Sequence, residues 1–172
     1  MRQRVPRGFT TVLVIGAGLA VATPAHAASS QVATVNATVV KPLTLKWVQD
    51  LDLGTIVLGN GTWSGATVGV SRTGAFSCTN ANVTCSGVTK VAKYNVTGTN
   101  NQTVRITAPN VTLVNQSDAT KTLVLTVDSP GTLVIPNSGN PGLDFSLGGS
   151  ISLSSTTAGG VYSGTFNVTV DY

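Results

Sequence analysis

Six carboxylates, two thiols and a single imidazole limit the chemistry open to this chain. The acidic side chains are Asp50, Asp52, Asp118, Asp128, Asp144 and Asp171; Glu is absent, and His26 is the sole histidine. Hydrolytic and acid–base catalysis mostly uses a His, or an Asp or Glu with a shifted pKa. Asp50-Leu51-Asp52 sets two carboxylates on one side of an extended segment, the beginning of a calcium site. The further oxygen ligands such a site requires are missing nearby, so a solvated loop is expected there. Gly148-Gly149 and Gly159-Gly160 lack the strand–loop–helix context and the adjoining base of a phosphate-binding loop. Ser and Lys are both present, but no motif pairs them. The expectation is a protein that is not an enzyme, with no cofactor and no metal.

Cys78 and Cys85 are the only thiols, and the segment between them is Thr-Asn-Ala-Asn-Val-Thr, a turn-like sequence. In an exported chain such a pair is expected to form a structural disulfide, while a redox or metal site would need closer spacing or a His partner. Two tryptophans could act as platforms for a ligand. Trp63 lies in Asn-Gly-Thr-Trp-Ser-Gly, a loop context that predicts exposure and makes it the possible ligand platform. Trp47 is expected at the edge of the core.

Residues 1–27 read as a secretory signal. Arg2, Arg4 and Arg7 give a basic start, and Ala25-His26-Ala27 gives a small-residue cleavage site. The apolar stretch between them, roughly fourteen residues, is too short to span a bilayer as a helix. The mature chain is then residues 28–172, a single domain large enough for a proper core. Three of the ten basic residues lie in the signal, which leaves seven against six acidic and a net charge near +1. The high whole-chain pI is therefore no sign of nucleic-acid binding. The expected location is outside the cytoplasm, first the periplasm and then the cell surface or an extracellular fibre, with no transmembrane helix.

Any of these groups must be positioned by strands. Thr (23) and Val (21) dominate residues 28–172; such β-branched residues suit a pleated, half-buried surface, and no ten-residue window carries clean helical periodicity. Strands are predicted at 32–40, 43–48, 54–58, 66–72, 74–78, 83–86, 91–99, 102–108, 111–114, 121–127, 132–135 and 143–153, with a turn-rich stretch at 136–142. A last strand is predicted over 162–172. There Tyr162, Gly164, Phe166, Val168, Val170 and Tyr172 share one parity, and Ser163, Thr165, Asn167, Thr169 and Asp171 share the other. Short strands punctuated by Gly, Asn and Pro indicate an all-β sandwich or barrel. An outer-membrane barrel is disfavoured, because eight aromatic residues in 28–172 are too few for two interfacial girdles.

Two stretches carry a family likeness. Val35-Asn36-Ala37-Thr38-Val39-Val40-Lys41-Pro42-Leu43-Thr44-Leu45, followed by Leu51-Asp52-Leu53-Gly54-Thr55-Ile56, resembles the opening of a family of small secreted bacterial domains of unknown function. The closing Gly160-Val161-Tyr162-Ser163-Gly164-Thr165-Phe166-Asn167-Val168-Thr169-Val170-Asp171-Tyr172 resembles the end of the same family. Both ends are also similar to subunits of chaperone–usher fimbriae. That resemblance implies an immunoglobulin-like β-sandwich lacking its last strand. It implies partners too: a periplasmic chaperone, an outer-membrane usher and neighbouring subunits of the same or a related type.

In that scheme Ala33, Val35, Ala37 and Val39 form the donor strand, and Tyr162, Gly164, Phe166, Val168, Val170 and Tyr172 border the groove and dock the chaperone. The donor residues are smaller than a tightly inserting strand often has. The alternative is that this strand pairs within its own domain, giving a self-complete secreted sandwich that serves as a carbohydrate-binding or surface-coat protein.

Overall fold

The computed structural model describes residues 29–137 and 141–172. The expected signal, the cleavage point and part of the expected 136–142 turn lie outside the described residues. By its internal contacts the chain divides into residues 1–37 and 38–172. In the first unit, described residues 29–37 are exposed and form no strand. The second is all-β, with thirteen strands and no helix among the described residues.

In chain order these strands are β1 (Thr44–Gln49), β2 (Thr55–Leu58), β3 (Ala66–Val70), β4 (Phe76–Ser77), β5 (Val83–Ser86), β6 (Ala92–Thr97) and β7 (Thr103–Thr107). They continue with β8 (Val111–Asn115), β9 (Thr122–Asp128), β10 (Thr132–Val134), β11 (Leu143–Leu153), β12 (Tyr162–Ser163) and β13 (Thr169–Asp171). Every strand predicted between residues 43 and 153 is present, with ends shifted by no more than two residues.

β11 is the spine of the largest sheet. Its first half pairs with β6, from Leu143 opposite Val96 to Leu147 opposite Ala92. Its second half pairs with β9 and with β3. The eight-stranded sheet runs β1-β6-β11-β9-β8-β12, with β3 and β4 attached through β11. Two smaller sheets accompany it, β10-β7-β13 and β2-β5, and all the pairings are antiparallel.

The alternation along β11 decides where the core sits. Phe145, Leu147, Ile151 and Leu153 share one face and are buried, while Asp144 and Ser152 on the other face are exposed. In the first core cluster Ile151 and Leu153 pack with Ala66, Val68, Val111 and Leu125, and with Val83, Ile56 and Leu58 from the two-stranded sheet. In the second, Phe145 and Leu147 pack with Ala92, Val96 and Ile106, backed by Leu133 and Val170 from the three-stranded sheet. The smaller sheets thus pack on one face of the large one, in the manner of a sandwich. Each fully buried Val or Leu contributes about 1.5–3 kcal/mol.

Two expectations are corrected. Residues 32–40 alternate as a strand would, yet no strand forms there: Val35 is 89% exposed and Val39 88% exposed. Alternation alone makes no ladder, which requires a neighbouring edge. The closing segment is not one continuous strand either. β12 pairs with β8, Tyr162 opposite Asn115, whereas β13 pairs with β7, Val170 opposite Ile106. The segment changes sheets between them. Its apolar parity survives the change, since Phe166, Val168 and Val170 remain half-buried against the core.

Cys78 and Cys85 are joined in a disulfide across the connection between β4 and β5. Closing so short a loop contributes about 2–3 kcal/mol by the chain-entropy estimate. A Cys78→Ser, Cys85→Ser double variant is expected to lose about that much unfolding free energy in a urea titration.

Candidate groove site

A cavity of about 850 Å³ opens along the first of these cores. Leu113 of β8, Leu123 and Leu125 of β9, and Ile151 and Leu153 of β11 line it. Leu125, Ile151 and Leu153 are buried and form its floor, while Leu113 and Leu123 are half-buried. Residues 50–56 and Leu58 make one wall, and residues 157–166 make the other. Trp47, Ala92 and Tyr94 also line it. Phe166 touches both core clusters from the second wall.

The first wall is held by backbone geometry. Asp52 and Lys90 exchange N–H···O bonds of 2.8 Å in both directions, and the Asp52 carboxylate accepts a bond from the Gly54 amide at 2.8 Å. β2 then pairs with β5, from Thr55 opposite Ser86 to Leu58 opposite Val83. Cys85 sits on β5, so the disulfide supports this wall. β2 has a partner on one edge only.

Asn115 organises the second wall. It is the one buried polar residue among those described, at 2% exposure. Its Nδ2 donates to the Gly159 carbonyl at 3.0 Å, and its Oδ1 accepts from the Ser117 amide at 2.9 Å. It thereby ties the β8–β9 turn to the start of the closing segment. Gly160 passes directly over it with φ +143°, and a Cβ there would lie 2.4 Å from Nδ2. Only glycine fits both that conformation and that space. The Tyr162 hydroxyl donates to the Ala158 carbonyl at 2.8 Å, and Gln116 Nε2 donates to Ser163 Oγ at 2.6 Å.

Beyond Ser163 the wall is open. Residues 164–168 make no backbone–backbone hydrogen bond among the described residues. β2, with one strand neighbour, and residues 164–168, without backbone partners among the described residues, thus both line an apolar trough.

The residues singled out by sequence distribute unevenly around this groove. Tyr162, Gly164 and Phe166 line it; Val168 and Val170 pack on the second core cluster. Tyr172 lies elsewhere, its hydroxyl accepting from the Thr99 amide at 2.8 Å and donating to the Lys41 carbonyl at 2.6 Å. Ala33, Val35, Ala37 and Val39 are exposed and unpaired with any strand.

The two tryptophans stand opposite to expectation. Trp63 is half-buried against the first core cluster, because Ser155 bonds both its amide (3.2 Å) and its carbonyl (3.1 Å) and folds the loop inward. Its indole Nε1 donates to the Gly59 carbonyl at 3.0 Å. Trp47 is 58% exposed, on the edge strand β1. Loop membership misplaced them, since it says nothing about which segment folds back over a core.

Asp50 and Asp52 serve local roles rather than converging: Asp50 accepts from Trp47 Nε1 at 3.0 Å, and Asp52 from Gly54. Burial, and secondarily the Asp50 charge, push the Tyr94 phenol above its ordinary pKa. Among the described residues no helix is long and apolar enough to cross a membrane.

Two measurements check this construction. Asn115→Ala should cost about 1–3 kcal/mol of unfolding free energy, because it removes the bonds to the Gly159 carbonyl and the Ser117 amide from a buried side chain. In hydrogen exchange, the amides of residues 164–168 should exchange far faster than those of Val104, Ile106 and Leu147, which lie in paired core strands.

No curated protein and no solved structure matches the chain. Residues 43–172 match the family described as Domain of unknown function (DUF4402), a span that begins one residue before β1 and leaves out the exposed 29–42 segment. The chain belongs to that family.

Proposed function

We propose that this protein is a structural subunit of a fimbrium or other surface fibre, assembled by β-strand donation between subunits. The observation that carries the reading is the open apolar groove, flanked by β2, paired on one edge only, and by the unpaired backbone of residues 164–168. A lone domain that leaves Leu113 and Leu123 facing such a trough is incomplete in the sense that an added strand would remedy. The exposed alternating segment with Ala33, Val35, Ala37 and Val39 supplies a strand of the right kind.

In this reading the domain is immunoglobulin-like, residues 1–27 direct export, and a periplasmic chaperone occupies the groove before a neighbouring subunit does. Donation from one subunit into the next is a heterologous contact, and such contacts propagate as open filaments. The protein is not an enzyme.

Magnitudes are consistent with this. Burying two Val and two Ala side chains contributes roughly 4–8 kcal/mol. Several ladder hydrogen bonds add about 0.5–1.5 kcal/mol net each. Ordering the donor opposes both, so association depends on a groove already formed. The small donor side chains suit a floor built of Leu and Ile.

Protein isolated from the periplasm or cell surface and run unheated on a denaturing gel should form a ladder that collapses on boiling. Deleting residues 28–40, or introducing Val35→Asp with Val39→Asp, should leave a monomer band. A monomer band from the unaltered protein, or a ladder that persists in both variants, would refute strand donation.

A further inference from the structure

Three aromatic side chains stand in a row beside the groove. Trp47 of β1 is registered opposite Tyr94 of β6, and Tyr94 opposite Phe145 of β11. Directly opposed residues share a sheet face, so all three lie on the inward side. Burial declines along the row: Phe145 is buried, Tyr94 half-buried, and Trp47 58% exposed. An inward-facing Trp is a large apolar surface for a domain to leave open.

That indole is also fixed in place. Its Nε1 donates to Asp50 Oδ1 at 3.0 Å, which anchors the ring edge of a side chain that is 58% exposed. Asp50 Oδ2 and the Tyr94 hydroxyl take no hydrogen-bond partner among the described residues, and both residues line the same cavity as Trp47. The site therefore offers a rigid aromatic face, a carboxylate acceptor and a protonated phenol that can donate or accept.

This combination discriminates between ligand classes. An organic cation is held best where it is desolvated by several ring faces. Tyr94 has one of its faces stacked on Phe145, with centroids 5.6 Å apart and planes at 18°, so Trp47 is the principal open face. An anionic ligand would meet the Asp50 charge. A neutral, hydroxylated ring with an apolar C–H face satisfies all three groups.

We propose that Trp47, Asp50 and Tyr94 form a binding site for an uncharged pyranose. The C–H face of the sugar lies on the indole, one ring hydroxyl donates to Asp50, and another accepts from the Tyr94 hydroxyl. This site goes beyond the fibre reading and uses none of the donor residues, although Trp47, Asp50 and Tyr94 line the same cavity as the groove.

The test applies the full-length exported protein to an immobilised panel of neutral oligosaccharides that includes maltose, cellobiose, lactose and chitobiose. The best-retained sugar is then titrated in solution by tryptophan fluorescence. Retention of at least one sugar is expected, with affinity falling about tenfold or more in Trp47→Ala. Asp50→Asn keeps an acceptor for the indole and should weaken binding while leaving the urea midpoint nearly unchanged. Trp63→Ala should retain the sugar affinity. Trp47→Phe, which keeps a ring, should bind between wild type and Trp47→Ala. The proposal is overturned if no sugar is retained, if affinity survives Trp47→Ala, or if tetramethylammonium displaces the sugar. The Val35→Asp, Val39→Asp variant, whose substitutions lie outside this site, should lose the ladder yet retain the sugar affinity, which separates failure here from failure of strand donation.

Discussion

The inward parity of β11 is the constraint on which the domain rests. One eleven-residue strand contributes Phe145 and Leu147 to one core cluster and Ile151 and Leu153 to the other. Because side chains alternate with a period of two, a one-residue slip would carry all four to the wet face and expose Asp144 and Ser152 to the interior. The pairings with β6, β9 and β3 are therefore fixed together, and through them the positions of β1 and β8. The groove inherits its floor from this arrangement. Its walls come from segments that the large sheet holds only at their ends.

Those walls differ in kind. The first is secured by a strand pair and a disulfide. The second depends on a buried amide that spans the turn after β8 and the start of the closing segment, followed by five residues without backbone partners among the described residues. Local stability follows the density of such bonds. The groove thus has one stiff side and one compliant side, and the compliant side carries Phe166, which contacts both core clusters.

Much of this architecture was legible in the residues. Alternation, β-branched composition and turn residues located the strands from β1 to β11; most have a wet face that contrasts with a dry one, although both residues of β4 are exposed. The thiol pair was legible for the same sort of local reason, as a turn-like loop with no competing ligand. Partner choice was not. Nothing in the 162–172 alternation says that β12 pairs in one sheet and β13 in another, since both halves turn the same parity toward the interior. Nor does the 32–40 pattern reveal whether an edge lies within reach. The exchange of roles between Trp47 and Trp63 has the same origin: Trp63 is covered through a contact with Ser155, ninety-two positions away in sequence, while Trp47 is on a strand whose neighbours end. Asn115 reads as an ordinary turn residue, and only the nearby Gly159-Gly160 pair hints at a backbone crossing overhead.

The junction at Tyr172 has a mechanical meaning. One phenolic oxygen accepts from Thr99 and donates to Lys41, while the Lys41 amide donates to Thr99 Oγ1 at 2.5 Å. The exposed segment departs from this triangle. Tension drawn along that segment meets a knot of three bonds before it reaches β1, so force spreads at once to the turn after β6 and to the residue following β13. A phenylalanine in place of Tyr172 would remove two of the three fastenings with a single atom, turning a shared clasp into a seam that peels strand by strand.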